Sequence, residues 1–169
     1  LERLIDAMGM LECGTAMASF CTMMPEHCLP ILREEGEIFL KADNVYHPMI
    51  SDPVKNSIET TRGVLLTGSN ASGKSTFLKT VAINAILAQT AGVVMADSWE
   101  GCYFKVLTSM ALRDDLDSQE SYFIVEIKSL KRILDEAGKG AAVLCFVDEV
   151  LRGTNTVERI AASSEILKS

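Results

Sequence analysis

The segment Gly68-Ser-Asn-Ala-Ser-Gly-Lys-Ser75 fits the pattern GxxxxGK[ST] in full, and this spacing suits one task, the holding of a row of phosphates. Glycines let the main chain bend tightly enough for successive N–H groups to face inward, where they meet phosphate oxygens. A helix beginning at Lys74 adds the positive end of its dipole. Lys74 then bridges the β- and γ-phosphates while the Ser75 hydroxyl ligates Mg²⁺. From average residue frequencies, a chance match in a chain of this length is on the order of one per cent. The second group is the apolar run Ala141–Val147 followed by Asp148 and Glu149. A buried strand ending in an acid delivers that carboxylate to the edge of an open α/β sheet where ligands bind. Asp148 is expected to hold Mg²⁺ through water, and Glu149 to orient or deprotonate the attacking water. Adjacent acids at the strand end favour ATP hydrolysis over phosphoryl transfer by a small nucleotide kinase.

These residues need elements to position them. Gly63–Thr67 is a short apolar run of the kind expected of a central strand buried on both faces. Lys74–Thr90 is apolar nearly all round and predicts a helix covered on most sides. Val93–Met95 and Tyr103–Ser109 are further strand candidates, with a turn expected at Trp99–Gly101. The acidic stretch Asp114–Glu120 reads as a loop, after which Ser121 can cap a helix to Ala137 whose buried face is Phe123, Ile127, Leu130 and Leu134. Gly138 and Gly140 stop that helix. Upstream, Leu4, Ile5, Met8, Leu11, Ala16 and Met17 give Leu1–Phe20 helical spacing, and Pro25 and Pro30 end the helix. Glu37–Val45 alternates as a half-exposed strand, and His47–Thr61 reads as a loop with a short strand at Ser57–Glu59. Strands alternating with helices predict an α/β fold with a mainly parallel sheet flanked by helices.

The composition agrees. The chain has 169 residues, 48% hydrophobic and 23% charged, enough for one packed domain. A net charge of −7 leaves no basic footprint, which argues against strong nucleic-acid binding by this segment alone. The five cysteines form no CxxC pair and sit in apolar stretches, so they are expected to be reduced core thiols of a cytoplasmic protein. His27 beside Cys28 lacks two further ligands at zinc spacing. The longest apolar tract, Thr80–Ala96, is broken by Asn84, Gln89 and Gly92, so no membrane contact is expected of it. The first residue is not Met, and Ile160–Ser169 looks like a helix cut in mid-course. A fragment of a longer protein is the expectation, one that binds nucleotide weakly and hydrolyses it slowly.

With these pieces placed, the chain resembles the C-terminal ABC-type ATPase domain of the MutS family of DNA mismatch-repair proteins. Four stretches carry the likeness between Tyr46 and Ser163: Tyr46-His-Pro48 with Asp52-Pro-Val-Lys-Asn56, the P-loop Thr67–Thr76, Asp114–Glu126, and Asp148–Thr156. The resemblance implies a P-loop NTPase domain at residues 36–169, truncated at its C-terminus and preceded at 1–35 by the helical end of a core or lever region. It also implies that Val54 packs on the adenine, that Asn70 lies near the γ-phosphate, and that Ser121 reaches the γ-phosphate held by the partner subunit of a homodimer. DNA would be held by parts of the parent outside this segment, with the nucleotide state controlling dimer and clamp. The chain departs from repair members at Ser69, Ala71-Ser72, Gln119-Glu120 and Val157-Glu-Arg159, which looks like a divergent bacterial branch. Two other readings compete. An SMC-like or transporter ATPase would need an LSGGQ-like signature, which Asp117–Ser121 matches poorly; a regulatory nucleotide-binding module without hydrolysis would have no use for Glu149.

Overall fold

The computed structural model of the protein describes residues 1–24, 26–110 and 122–148, the side chains of Glu2, Tyr122 and Phe123 excepted. In chain order the elements are α1 (Glu2–Met23), β1 (Ile31–Arg33), β2 (Leu40–Val45), β3 (Asn56–Thr60), α2 (Lys74–Thr90), β4 (Ser98–Cys102), β5 (Lys105–Ser109), α3 (Tyr122–Ala137) and β6 (Val143–Val147). The chain divides into two units, Leu1–Cys102 and Tyr103–Ser169. Each is treated by itself.

In the first unit the period-two pattern of β2 sets the core. Leu40 and Ala42 are buried at 2% and 0% exposure, while Lys41 and Asp43 turn outward. The sheet runs β1-β4-β2-β3, with β4 parallel to β1 and antiparallel to β2, and β2 antiparallel to β3. Helix α2 lies against β2 and buries Thr80, Val81, Ala82, Asn84, Ala85 and Ala88. Helix α1 begins free and becomes structural towards its end, where Met17, Phe20, Cys21 and Met24 pack on the buried cluster Tyr46, Val93 and Met95.

Between Ala42 and Val45 the β2–β3 register shifts, and Asn44 takes φ 53. Its amide side chain donates to Asp97 Oδ2 at 2.7 Å, and its N–H donates to Ser57 Oγ at 3.0 Å. Asparagine tolerates the left-handed region because its short side chain can bond locally. The irregularity is a β-bulge, with the extra residue tied on both sides.

In the second unit β5 and β6 pair in parallel, from Lys105 opposite Val143 to Ser109 opposite Val147. Helix α3 packs on both strands through Leu130 and Ile133, each 5% exposed. It stops where Gly138 N–H returns to the Leu134 carbonyl and Gly140 turns left-handed at φ 78.

Several expectations need correction. The architecture is α/β, but the larger sheet is mixed, because β2, β3 and β4 meet antiparallel. Gly63–Thr67 forms no strand, and Val64 and Leu65 are 52% and 74% exposed. An apolar run becomes a strand only when a neighbour meets its N–H and C=O groups, and among the described residues none does. The supposed turn at Trp99–Gly101 is the middle of β4, with Trp99 2% exposed. Pairing with β1 and β2 on both sides overrides its small and polar composition. Val93–Met95 is buried but makes a single bridge, Val94 to Cys28. On α3 the buried stripe includes Ile133, whereas Ile127 and Leu134 are 39% and 38% exposed. The cysteines are free, but none is a core thiol: Cys13 and Cys145 are exposed and Cys21, Cys28 and Cys102 half-buried. Among the described residues one helix, Arg3–Met23, is long and apolar enough to cross a membrane by length and composition. The loop 114–120, Ser121, Phe123's side chain, Glu149 and the segment 149–169 lie outside what the structure describes.

Candidate functional site: a glycine-rich turn at the head of α2

The turn that leads into α2 has the bent main chain its glycines predict. Gly68, Ala71 and Gly73 adopt φ of 152, 62 and 88, and Ser72 N–H closes on the Ser69 carbonyl at 3.3 Å. Gly73 is the N-cap of α2 in the left-handed region, which costs a residue with a Cβ more than glycine. A Cβ on Gly68 would stand 3.1 Å from Ser72 Oγ. The helix has no side-chain cap and no acid in its first turn. Its leading N–H groups therefore lack an intrahelical acceptor.

Lys74 folds back over this turn. Its ammonium donates to the Gly68 carbonyl at 3.0 Å, the Ser69 carbonyl at 2.6 Å and, at a long 3.4 Å, Ser72 Oγ. All three partners are neutral, so the charge is solvated but not cancelled. Gly68, Ser69, Asn70, Ala71, Ser72, Gly73 and Thr76 are exposed, and Lys74 and Ser75 half-buried. All nine residues predicted to hold phosphate are thus gathered in one solvent-facing turn. Among the described residues this cation has no carboxylate beside it, and with the uncapped helix donors it fits an incoming polyanion.

One amide fastens α2 in place. Asn84 is fully buried, with Nδ2 donating to the carbonyls of Tyr46 at 3.0 Å and Thr80 at 2.9 Å, while Oδ1 accepts from Met95 N–H at 2.8 Å. The helix that carries Lys74 is thereby tied to two other segments of its unit. In the sequence Asn84 and Gln89 both interrupt the apolar tract, and an amide in the middle of so apolar a helix must find buried partners.

Val54 is 80% exposed. It adjoins a groove of about 520 Å³ between the end of α1 and residues 46–55, lined among others by Met24, Glu26, Tyr46, Met49, Ile50 and Lys55. In the second unit Asp148 follows β6, half-buried, with its N–H donating to the Ser109 carbonyl at 3.0 Å. The parallel pairing of β5 and β6 brings both strand ends, Ser109 and Val147, to one edge. Ser121 and Glu149 fall outside the described residues.

The His27-Cys28 pair is otherwise engaged. His27 Nδ1 donates to the Met24 carbonyl at 2.6 Å, and Cys28 exchanges main-chain hydrogen bonds with Val94. Burial, and secondarily Asp97, pushes the Cys28 thiol above its usual value, away from the thiolate that a metal needs.

Residues 64–169 match the family described as MutS domain V. Among curated relatives, the DNA mismatch repair protein msh3 of Botryotinia fuckeliana is 32% identical over 175 residues, covering 96% of this chain and 15% of that protein. The DNA mismatch repair protein MutS of Thermosipho melanesiensis is 38% identical over 134 residues, covering 75% and 16%. MutS protein homolog 4 of Homo sapiens is 32% identical over 169 residues, covering 95% and 17%. The chain thus spans between 15% and 18% of the length of such relatives. The family match begins at the approach to the glycine-rich turn and runs through β6 and Asp148, so that both groups of candidate residues fall within it, and the chain belongs to the MutS family.

Proposed function

We propose that this chain is the ATP-binding and ATP-hydrolysing domain of a MutS-like DNA mismatch-repair protein, built as an ABC-type P-loop NTPase. The observation that carries the reading is the pose of Lys74: its ammonium lies on the Gly68 and Ser69 carbonyls above an uncapped helix start, where phosphate oxygens can replace those carbonyls. In this reading Gly68, Ser69, Asn70, Ala71, Ser72, Gly73 and Thr76 cradle the phosphates, and Lys74 moves from carbonyls to the β- and γ-phosphates. Val54 meets the adenine. Ser75 and Asp148 hold Mg²⁺, which when bound neutralises charge on the β- and γ-phosphate oxygens. Glu149 orients or deprotonates water.

The site is composite, with Ser121 acting on the nucleotide of the partner chain in a homodimer whose closure follows the nucleotide state. DNA is held by parts of the parent outside this segment, in keeping with the charge of −7. The protein works in the cytoplasm, and α1, anchored by its last turns on Tyr46, Val93 and Met95, belongs to the core or lever region rather than to a membrane. Membership of the MutS family favours this reading over an SMC-like or transporter ATPase.

Titration of the chain with ATP and Mg²⁺ tests the site. Lys74→Ala removes charge-assisted hydrogen bonds to phosphate and is expected to weaken binding roughly tenfold or more. An affinity within twofold of the parent chain would refute the assignment. In the complete parent protein, mixing Glu149→Gln with Ser121→Ala chains should regenerate one working site; no recovery would mean that each site is independent.

A further inference from the structure

The pattern GxxxxGK[ST] fixes Gly68, Gly73, Lys74 and Ser75 and leaves position 72 open to any residue, yet the structure turns a hydroxyl inward there. Two observations locate Ser72 Oγ over the turn. A Cβ built on Gly68 would stand 3.1 Å from it, and the Lys74 ammonium donates to it at 3.4 Å. It is the loosest partner of that ammonium in the turn, since the Gly68 and Ser69 carbonyls lie at 3.0 and 2.6 Å. The three partners also differ in kind. A carbonyl oxygen only accepts, so it competes with a phosphate oxygen for the hydrogens of Lys74 and offers that oxygen nothing. A hydroxyl accepts and donates at once. Among the described residues Ser72 Oγ accepts from Lys74 and donates to none, which leaves its own hydrogen to offer. A hydroxyl whose oxygen accepts from a cation is polarised and donates more strongly.

We propose that the Ser72 side chain binds phosphate directly: when the Gly68 and Ser69 carbonyls release Lys74, the Ser72 hydroxyl keeps the ammonium and gives its own hydrogen to the same phosphate. The inference rests on reading Gly68–Thr76 as the nucleotide site and deepens it. Cradling by main-chain N–H groups is open to any residue at position 72, whereas this contact needs a side-chain donor. A role for Ser72 in the shape of the turn alone predicts something else, namely that a side chain of similar outline without a strong donor serves equally well.

The experiment titrates inorganic tripolyphosphate calorimetrically into the 169-residue chain and its variants at low ionic strength. Ser72→Ala is expected to weaken the ligand roughly three- to tenfold, the scale of one hydrogen bond formed at a solvent-facing site. Ser72→Cys keeps the outline of the side chain but carries only a weak donor, so it should weaken the ligand as Ser72→Ala does. The proposal is overturned if Ser72→Ala binds within about twofold of the parent chain or more tightly, or if Ser72→Cys binds as the parent does. Lys74→Ala separates the two ideas. Unweakened tripolyphosphate binding in that variant would overturn the phosphate site itself, and the inference with it; a loss in Lys74→Ala with none in Ser72→Ala would leave the site standing and end the inference alone.

Discussion

Replacing Asn84 by leucine tests how α2 is held. Leucine keeps the γ-branched outline of asparagine and is a better helix former, but it is bulkier, so some overpacking adds to the loss. What changes is hydrogen bonding. The Thr80 carbonyl keeps its ordinary i→i+4 partner, but the Tyr46 carbonyl and the Met95 N–H lose the contacts of 3.0 Å and 2.8 Å that Asn84 supplies. Each buried group left unpaired costs about 1–3 kcal/mol, so the variant is expected to lose about 2–6 kcal/mol of stability. For a chain of this size that lowers the thermal midpoint by roughly 4–24 °C. Urea unfolding followed by far-UV dichroism gives the free energy directly. Asn84→Asp supplies a control with a sign. Ionised, it turns a carboxylate oxygen towards the Tyr46 carbonyl; protonated, it offers that carbonyl a donor again. Its deficit should therefore shrink as pH falls through the carboxylate range. A leucine variant within 0.5 kcal/mol of the parent, a margin taken from the usual scatter of neutral changes, would refute the claim that this amide anchors α2.

Two further outcomes follow from local geometry, beside those stated for Lys74 and Ser72. Gly73→Ala meets no atom within 4 Å but must adopt φ 88, so it should cost about 1–2 kcal/mol through backbone strain alone, measured by the same urea titration. Glu136 is held at a pKa of about 2, below its ordinary 4.5, by hydrogen bonds from Lys105 and then from Lys139. A depressed carboxylate stabilises the fold above its unfolded pKa, so this contribution is complete above pH 4.5 and disappears as pH falls towards 2. An NMR titration of the Glu136 side chain with a midpoint near 4.5 would contradict the bridge between α3 and the start of β5.

The parts of the fold that the sequence made legible are those fixed by local rules. Helix α2 spans Lys74–Thr90 as expected, because a glycine-rich turn defines its start and an apolar run its body. Strand β6 was readable from its apolar composition, and the end of α3 from Gly138 and Gly140. What escaped depends on partners distant in the chain. Ser98–Cys102 holds Trp99, Glu100 and Gly101, which by composition suggest a turn, yet Gly101 sits between Leu32 and Leu40 in a ladder no local window contains. Gly63–Thr67 shows the converse, strand-like residues without a ladder. On α3 the spacing predicts a buried face of Phe123, Ile127, Leu130 and Leu134, and only the position of β5 and β6 brings in Ile133 and leaves Ile127 and Leu134 exposed. The bend at Gly68–Gly73 was legible because glycines at fixed spacing set its main chain, and φ of 152 at Gly68 and 88 at Gly73 agree with it. Its anchorage through Asn84 was not, since nothing near that residue names Tyr46 or Met95 as partners.

The bulge at Asn44 has a consequence for how this segment can change over evolution. Upstream of it, Leu40 and Ala42 are phased to the sheet; downstream, Tyr46 is phased to Met95 and Asn84. The extra residue works as a phase shifter that lets one short strand obey two incompatible alternations. Deleting it would leave the sheet's own spacing intact yet rotate everything beyond by half a period, pointing the tyrosine away from the helix it secures. Length is thus fixed between Ala42 and Tyr46 even where side-chain identity is free to drift.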